Sequence, residues 1–369
     1  MLIELHMLKS FPPTNLNRDE SGSPKSCFFG GCQRGRISSQ SLKHSWRNDS
    51  ELQKLPLGVR TRRLPEIIAD RLIQAGIQQK IVNAVKPMLT SFGNKDAKEV
   101  EDGVTAQIMF FSQQDLDAIT NELLHLLKDV DSEKEAKAIK VSQLQEALKG
   151  VTRKASVDMA LFGRMITDVA FKNVEASLQV AHAISTHSVN MESDFFTAVD
   201  DLQRKYGDDS GSAMMGDVDY NSCCYYFYAS LDTDQLLTNL NGIDNEDEVI
   251  KTLLPRLLSA MVLTNPSGKQ NTFAGHALPG VVCVELKDRK VPISHANAFE
   301  KPIRSRDGYM KPSAEALVSH MDLCDKSFGI PLRKRLWFAP EANCAPVNCS
   351  KAETLDQLVN ELGTWLGEA

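Results

Sequence analysis

LPEIIADRLIQAGIQQKIVNAV, residues 64–85, repeats its apolar positions with helical periodicity, and Pro65 sits where a first helical turn accepts a proline. DLDAITNELLHLLKDV (115–130) carries the same period, so residues 64–150 read as helical. The flanks read differently. Residues 2–9 alternate, with Leu2, Glu4, His6 and Leu8 on one side of a strand and Ile3, Leu5 and Met7 on the other. CCYYFYASL (223–231) is extended and leads into a helix capped by Asp232 or Thr233. Strands are also expected at GVVCVEL (280–286) and KRLWFAP (334–340), and an amphipathic helix at 353–366. GDDSGSAMMGDVD (207–219) is a small-residue, acidic connection of the kind found in a mobile loop or hairpin. The class is therefore α+β, with a helical insertion at 50–150 dividing a sheet-bearing part at 1–49 and 151–369, and no internal repeat.

At 369 residues, one enlarged domain or two are both expected. The chain is 42% hydrophobic and 24% charged, and no apolar run is long enough to span a membrane. The opening MLIELHMLKSFPP lacks a basic start, carries Glu4 and ends in prolines, so it reads as a strand and not as a signal peptide; a cytoplasmic location is expected. Eight cysteines (27, 32, 223, 224, 283, 324, 344, 349) form no CxxC pair and no Cys/His quartet at usual spacing. They read as small buried hydrophobes or loop thiols, and neither a metal nor a cofactor is expected. The net charge of -6 argues on average against a polyanionic partner. A nucleic acid, however, meets the local field of one face.

That local field changes at RGRISSQSLKHSWR (34–47). Arg18, Lys25, Arg34, Arg36, Lys43 and Arg47 gather here with only Asp19 and Glu20 as nearby acids. One reading is a solvated helix face. The other is phosphate binding: Gly30 and Gly31 permit close backbone approach, Ser38, Ser39 and Gln40 supply neutral donors, and a helix starting at Ser38 or Ser39 offers unpaired amides. Lys43 and Arg47, four apart, share one helix face. In GKQNTFAGHA (268–277), Lys269, Gln270 and Asn271 form either an exposed turn or a second contact. Arg164 and Met165 in FGRMI, with the adjacent Phe195 and Phe196, form a third candidate RNA contact; Met and Phe usually mean core, but adjacent residues in an extended hairpin face opposite ways, so at least one phenylalanine is expected to be exposed to stack on a base. Catalytic signals are lacking. His182 and His187 are five apart with no glutamate between them, and Asp200 and Asp201 have no second ligand set.

Taken in order, LNRDESGSPKSCFFGGCQRGRISSQSLKHSWR, GVRTRRLPEIIADRL, VDMALFGRM, QVAHAISTHSV, DFFTAVDDL, GKQNTF and ANAFEKP resemble the backbone subunit of the type I-E CRISPR Cascade surveillance complex, the CasC-type member of the RAMP superfamily, from about residue 2 to 310. The resemblance implies a ferredoxin-like, RRM-like palm, inserted helical fingers and a β-hairpin thumb at about 188–222. Copies of such a subunit stack head to tail on the guide CRISPR RNA, leaving it to pair with a target DNA strand. It further implies that Arg18, Lys25, Ser38, Gln40, Lys43 and Arg47 grip the guide backbone, to which the basic cluster read above adds Arg36. Phe195, Phe196 and Val199 of the thumb would displace a guide nucleotide, with Met165 at the opposing palm. Implied partners are the guide, target DNA, other copies, the large and small subunits, the subunit at the guide's 5′ end and the guide-processing endoribonuclease. The chain has His44 where relatives commonly carry another base, and Gln33 in a less basic GCQRG. Lys134, Lys137 and Lys140 recur every three residues, as a weak DNA track or a solvated face. Type III backbone subunits of the superfamily cut RNA with a loop aspartate, and Asp19 is the residue that would imitate it.

Overall fold

The computed structural model describes residues 1–93, 103–166, 168–198, 214–243 and 245–365. The chain divides into two units: Met1–Leu52, Gln179–Thr233 and Lys251–Ala369 form the first, and Gln53–Leu178 with Asp234–Ile250 the second.

In the first unit, β1 (Leu2–Thr14) is buried on both faces for most of its length, so its backbone groups need partners along both edges. It finds them. The strands that follow are β2 (Ser26–Phe29), β3 (Cys32–Ile37), β4 (Ala183–Ser185), β5 (Glu192–Ala198), β6 (Met214–Asp232), β7 (Val281–Lys287), β8 (Lys334–Phe338) and β9 (Ser350–Lys351). They lie in the order β9-β8-β7-β1-β6-β4-β3-β2, with β5 pairing onto β6. β1 is antiparallel to both neighbours, with Leu8 opposite Val281 on one edge and Tyr226 on the other.

Alternation along β1 sends its two sets of side chains to different layers. On the Leu8 side, Leu8, Tyr226, Val281, Cys283 and Trp337 pack with Ala314, Leu317 and Met321 of the helix Met310–Phe328. On the other side, buried Lys9 reaches the end of the helix Glu246–Leu263, and its Nζ donates to the Val262 and Thr264 carbonyls, each at 3.0 Å. The fold is α+β, a large sheet with helices.

The second unit is helical, with helices at Leu64–Gln74, Gln79–Val85, Gln113–Leu126, Glu133–Ala138, Val141–Lys149 and Val157–Phe162. Leu64, Ile68, Leu72, Val82, Leu89, Phe92, Ile119, Leu123 and Leu144 build its core. Ser112 caps Gln113–Leu126 through a reciprocal pair with Asp115, the Ser112 amide donating to Asp115 Oδ2 at 2.9 Å. The expected boundaries differ from the observed ones. Phe171 packs on Phe92 and Phe111, with ring centroids 5.8 and 5.5 Å apart, which keeps the chain beyond residue 150 in the helical unit up to Leu178.

Two further expectations are adjusted. The C-terminal helix is Leu355–Gly363. Of the connection expected at 207–219, residues 214–219 are strand, because Met214–Tyr220 register against Ala198–Glu192; residues 207–213 lie outside the described residues. Among the described residues, no helix is long and apolar enough to cross a membrane.

Candidate nucleic-acid interface

The loop between β1 and β2 is braced from within. The Asp19 carboxylate accepts from the Ser21 hydroxyl at 2.7 Å, the Ser21 amide at 2.9 Å and the Ser23 amide at 3.1 Å, and these donors, the hydroxyl foremost, hold its carboxyl below the usual range. The same loop is fastened to β6. Buried Asn15 donates through Nδ2 to the Gly22 and Asp219 carbonyls at 2.9 and 2.8 Å, while the hydroxyls of Ser23 and Ser193 donate to the two Asp219 carboxylate oxygens. Arg18 is exposed and Lys25 half-buried on this loop.

A third tie leads to the helix Ser39–Arg47. Asn17 Oδ1 accepts from the amide of Ser38 at 2.9 Å, and Ser38, itself buried, caps the helix by accepting from the Ser41 amide at 3.4 Å. Leu42 and Trp46 bury one side of this helix. Gln40, Lys43, His44 and Arg47 fall at the i, i+3, i+4, i+7 positions of another stripe, with Gln40 and His44 exposed and Lys43 and Arg47 half-buried.

Three residues of the expected phosphate site do other work. Gly30 and Gly31 close the β2–β3 hairpin as a two-residue turn with φ of +59° and +77°. A Cβ at Gly30 would stand 1.6 Å from the Glu300 carbonyl oxygen, so the close approach it permits is to the protein's own backbone. Arg34 is fully buried, and its guanidinium donates to the carbonyls of Ser185 (2.9 Å), Phe299 (2.7 Å), Glu300 and Phe29. It pins β3 to β4 and to the turn His295–Phe299.

Arg36, two residues on, is half-exposed: it donates to the Ser26 carbonyl and stands 2.9 Å from His182 Nδ1. Burial first, then the charges of Arg36 and Lys25, hold the His182 imidazole below its ordinary pKa. His182 thus joins the basic surface, a placement set by the β3–β4 register (Arg36 opposite Ile184) and invisible in the HAISTH spacing.

The GKQNTF segment lies against the same region. A Cβ at Gly268 would be 2.3 Å from the Leu16 carbonyl oxygen, and one at Gly275 would be 1.9 Å from Thr14 Cγ2, so the loop rests on the end of β1. Gln270 Nε2 donates to the Pro266 carbonyl at 2.9 Å, leaving its buried Oε1 without a partner. Lys269 is half-buried with φ of +50°, Asn271 is exposed, and the Phe273 ring is 5.6 Å from that of Tyr220 in β6.

β5 and the first part of β6 form a hairpin in which every β5 residue is exposed. Phe195 is 62% exposed and Phe196 37%. Phe195, opposite Asp217, shares a face with Met215; Phe196, opposite Gly216, shares the other with Met214. Its ring lies over Gly216, whose added Cβ would be 2.8 Å from it. Val199, Asp200 and Asp201 lie outside the described residues.

In the helical unit, Met165 is 93% exposed. Its neighbour Arg164 is buried and ion-paired to Asp115 at 2.5 Å, with further donations to the Phe110 and Lys172 carbonyls, so it holds the core and leaves the expected contact set. Lys134, Lys137 and Lys140 are exposed, but the helix ends at Ala138 and Lys140 begins the next one, so they do not form one helical row. His187 stacks on Tyr309 at 3.7 Å and accepts from the Cys224 amide at Nε2, a structural use.

The overall fold is shared with chains of CRISPR RNA-guided surveillance complexes. A chain from "CRISPR RNA-guided surveillance complex, pre-nicking" superposes with a TM-score of 0.83 at 27% identity, covering 99% of this chain and 100% of that one. A chain from "CRISPR RNA-guided surveillance complex" shares the fold with a TM-score of 0.73 at 23% identity, covering 100% of both. No curated protein matches the chain. The CT1975-like protein family matches residues 3–361, and the chain belongs to that family.

Proposed function

We propose that this chain is a non-catalytic backbone subunit of a type I-E CRISPR Cascade complex. It binds guide CRISPR RNA along the phosphate backbone and polymerises on it head to tail, so that the guide is free to pair with invading DNA. The observation that carries this reading is the bracing of three elements through Asn15, Asn17 and Asp219: the Arg18–Lys25 loop, the Gln40/Lys43/Arg47 helix and the exposed Phe195/Phe196 hairpin share one scaffold. Family membership and the likeness to a surveillance-complex chain support it. Cations with neutral donors on a rigid loop suit a repeating phosphate backbone, and exposed aromatics on a hairpin suit bases.

The test is guide binding by the purified chain. Gel filtration with and without guide RNA should show a monomer alone and a filament on the guide. Charge reversal at Lys43 and Arg47 should abolish retention, since each lost phosphate contact removes about 0.7 from the single-strand salt slope and reversal adds repulsion. Normal assembly of the double variant in moderate salt would overturn the grip assignment. No magnesium-dependent RNA cleavage is expected, because Asp19 is occupied by its own loop; cutting lost in Asp19→Ala would favour the type III reading instead.

A further inference from the structure

The geometry points to a zinc site in the sheet-bearing unit, made by His295, His320 and Cys324. His320 and Cys324 are four apart on the helix Met310–Phe328 and therefore share a face. His295 comes from the turn His295–Phe299, far away in sequence. Its Nδ1 lies 3.0 Å from His320 Nδ1, and Cys324 Sγ lies 3.6 Å from that same nitrogen. All three ligand atoms fall within 4.8 Å of one another. In tetrahedral zinc, with Zn–N of about 2.05 Å and Zn–S of about 2.3 Å, neighbouring ligand atoms stand about 3.3 Å (N···N) and 3.6 Å (N···S) apart. The triad needs only small side-chain shifts to meet those separations.

Two further observations support the site. His295 is 1% exposed, and its other nitrogen, Nε2, is buried without a hydrogen-bond partner. Metal at Nδ1 would fix Nε2 as N–H, the tautomer in which that buried nitrogen is a donor. The neighbouring network also has a charge to balance. Among the described residues, Glu4, Glu285 and Asp325 pair with two permanent cations, Lys287 and Arg335, and His6 lies 3.9 Å from Glu285. Zinc with one thiolate supplies the missing positive charge. His320 and Cys324 are half-exposed, which gives the ion an entry path, and water would fill the fourth position.

A deeper grouping, His6 with Glu285 and His295, is a poorer host. Glu285 there is within 2.7 Å of Arg335 and 3.0 Å of Lys287, and a dication would be repelled by both.

The experiment uses the full chain, stripped with chelator, dialysed against Zn(II) and separately against Co(II). One zinc per chain should be retained, and the Co(II) form should show a thiolate charge-transfer band with tetrahedral d–d transitions. Cys324→Ser should lose that band and His320→Gln the retained zinc. Cys344→Ser, at a half-buried thiol outside the triad, should keep both. Failure of the wild type to retain metal, or unchanged retention and spectra in Cys324→Ser, overturns the site. Equal loss in Cys344→Ser also overturns it, as binding by loose thiols. Should Cys324→Ser melt early in zinc-free buffer, the wild-type Co(II) spectrum alone decides, a thiolate band supporting the site and its absence refuting it.

Discussion

Truncating Phe195 and Phe196 to alanine separates a base-contacting hairpin from a misplaced piece of core. With exposures of 62% and 37%, the two rings together bury about as much as one whole phenylalanine. Their removal should therefore cost the free chain no more than about 1.5–3 kcal/mol. Because β5 is exposed along its whole length, that cost falls on local opening of the hairpin. Two truly buried phenylalanines would cost about 3–5 kcal/mol each. Against RNA the expectation reverses: a base stacked on an aromatic is worth about 1–3 kcal/mol, so loss of two such contacts should weaken binding roughly 30-fold or more. No phosphate contact is removed, so the slope of log K against log salt should not change by as much as the ~0.7 that one phosphate contributes. Thermal melting of the free chain and anisotropy titrations with guide RNA at two salt concentrations measure all three quantities. A large fall in melting temperature with unchanged affinity per folded molecule would refute the reasoning, as would a flattened salt slope.

Gly30→Ala and Gly31→Ala carry the same left-handed backbone strain of about 1–2 kcal/mol, but only the first puts a Cβ onto the Glu300 carbonyl, while the second meets open space. Gly30→Ala should melt clearly lower, and equal melting of the two would show that the turn does not press on that carbonyl. Arg34→Met should lower stability by about 1–3 kcal/mol for each buried carbonyl left without a donor, with no change in the RNA salt slope of the folded protein; a change in slope would return Arg34 to the interface. Burial lowers the Lys9 pKa to about 7, from an ordinary 10.5. Between these values the unfolded chain holds a proton that the folded chain does not, so stability should rise with pH from about 7 to 10.5, and Lys9→Met should lack that rise in pH-dependent urea melts.

The class of the fold was legible because period is a local property: 3.6 in Leu64–Val85 and 2 in Leu2–Lys9 need no knowledge of partners. The limits of the helical unit were not, because Phe171 joins its core through contacts with Phe92 and Phe111 that no local pattern records. Ser38 was legible as a cap for the same local reason that Lys43 and Arg47 were legible as one face. Arg34 and Arg36 show where such reading stops. They stand two apart on one strand, yet one is sealed against the Phe299–Glu300 carbonyls and the other borders His182 at the surface. Arg164 was misread for the same reason, since its partner, Asp115, is distant in sequence. Gly30 was read correctly as a point of close approach, but what approaches is the chain itself.

β6 runs unbroken for 19 residues, from the exposed hairpin to the centre of the sheet. Mechanically it is a cantilever: Met214–Tyr220 overhang, and the anchorage begins where Asn221 meets Thr14. At about 3.3 Å per residue the overhang is about 23 Å, so tilting its root by about 10° would swing the tip by about 4 Å. The Asp219 and Asn15 bonds fasten the beam at its root and so set the aim of the tip. Such a beam also acts as a gauge with one-residue graduations. Inserting a single residue near Asn221 would exchange the faces presented by Met214 and Met215 while leaving the sheet beneath intact.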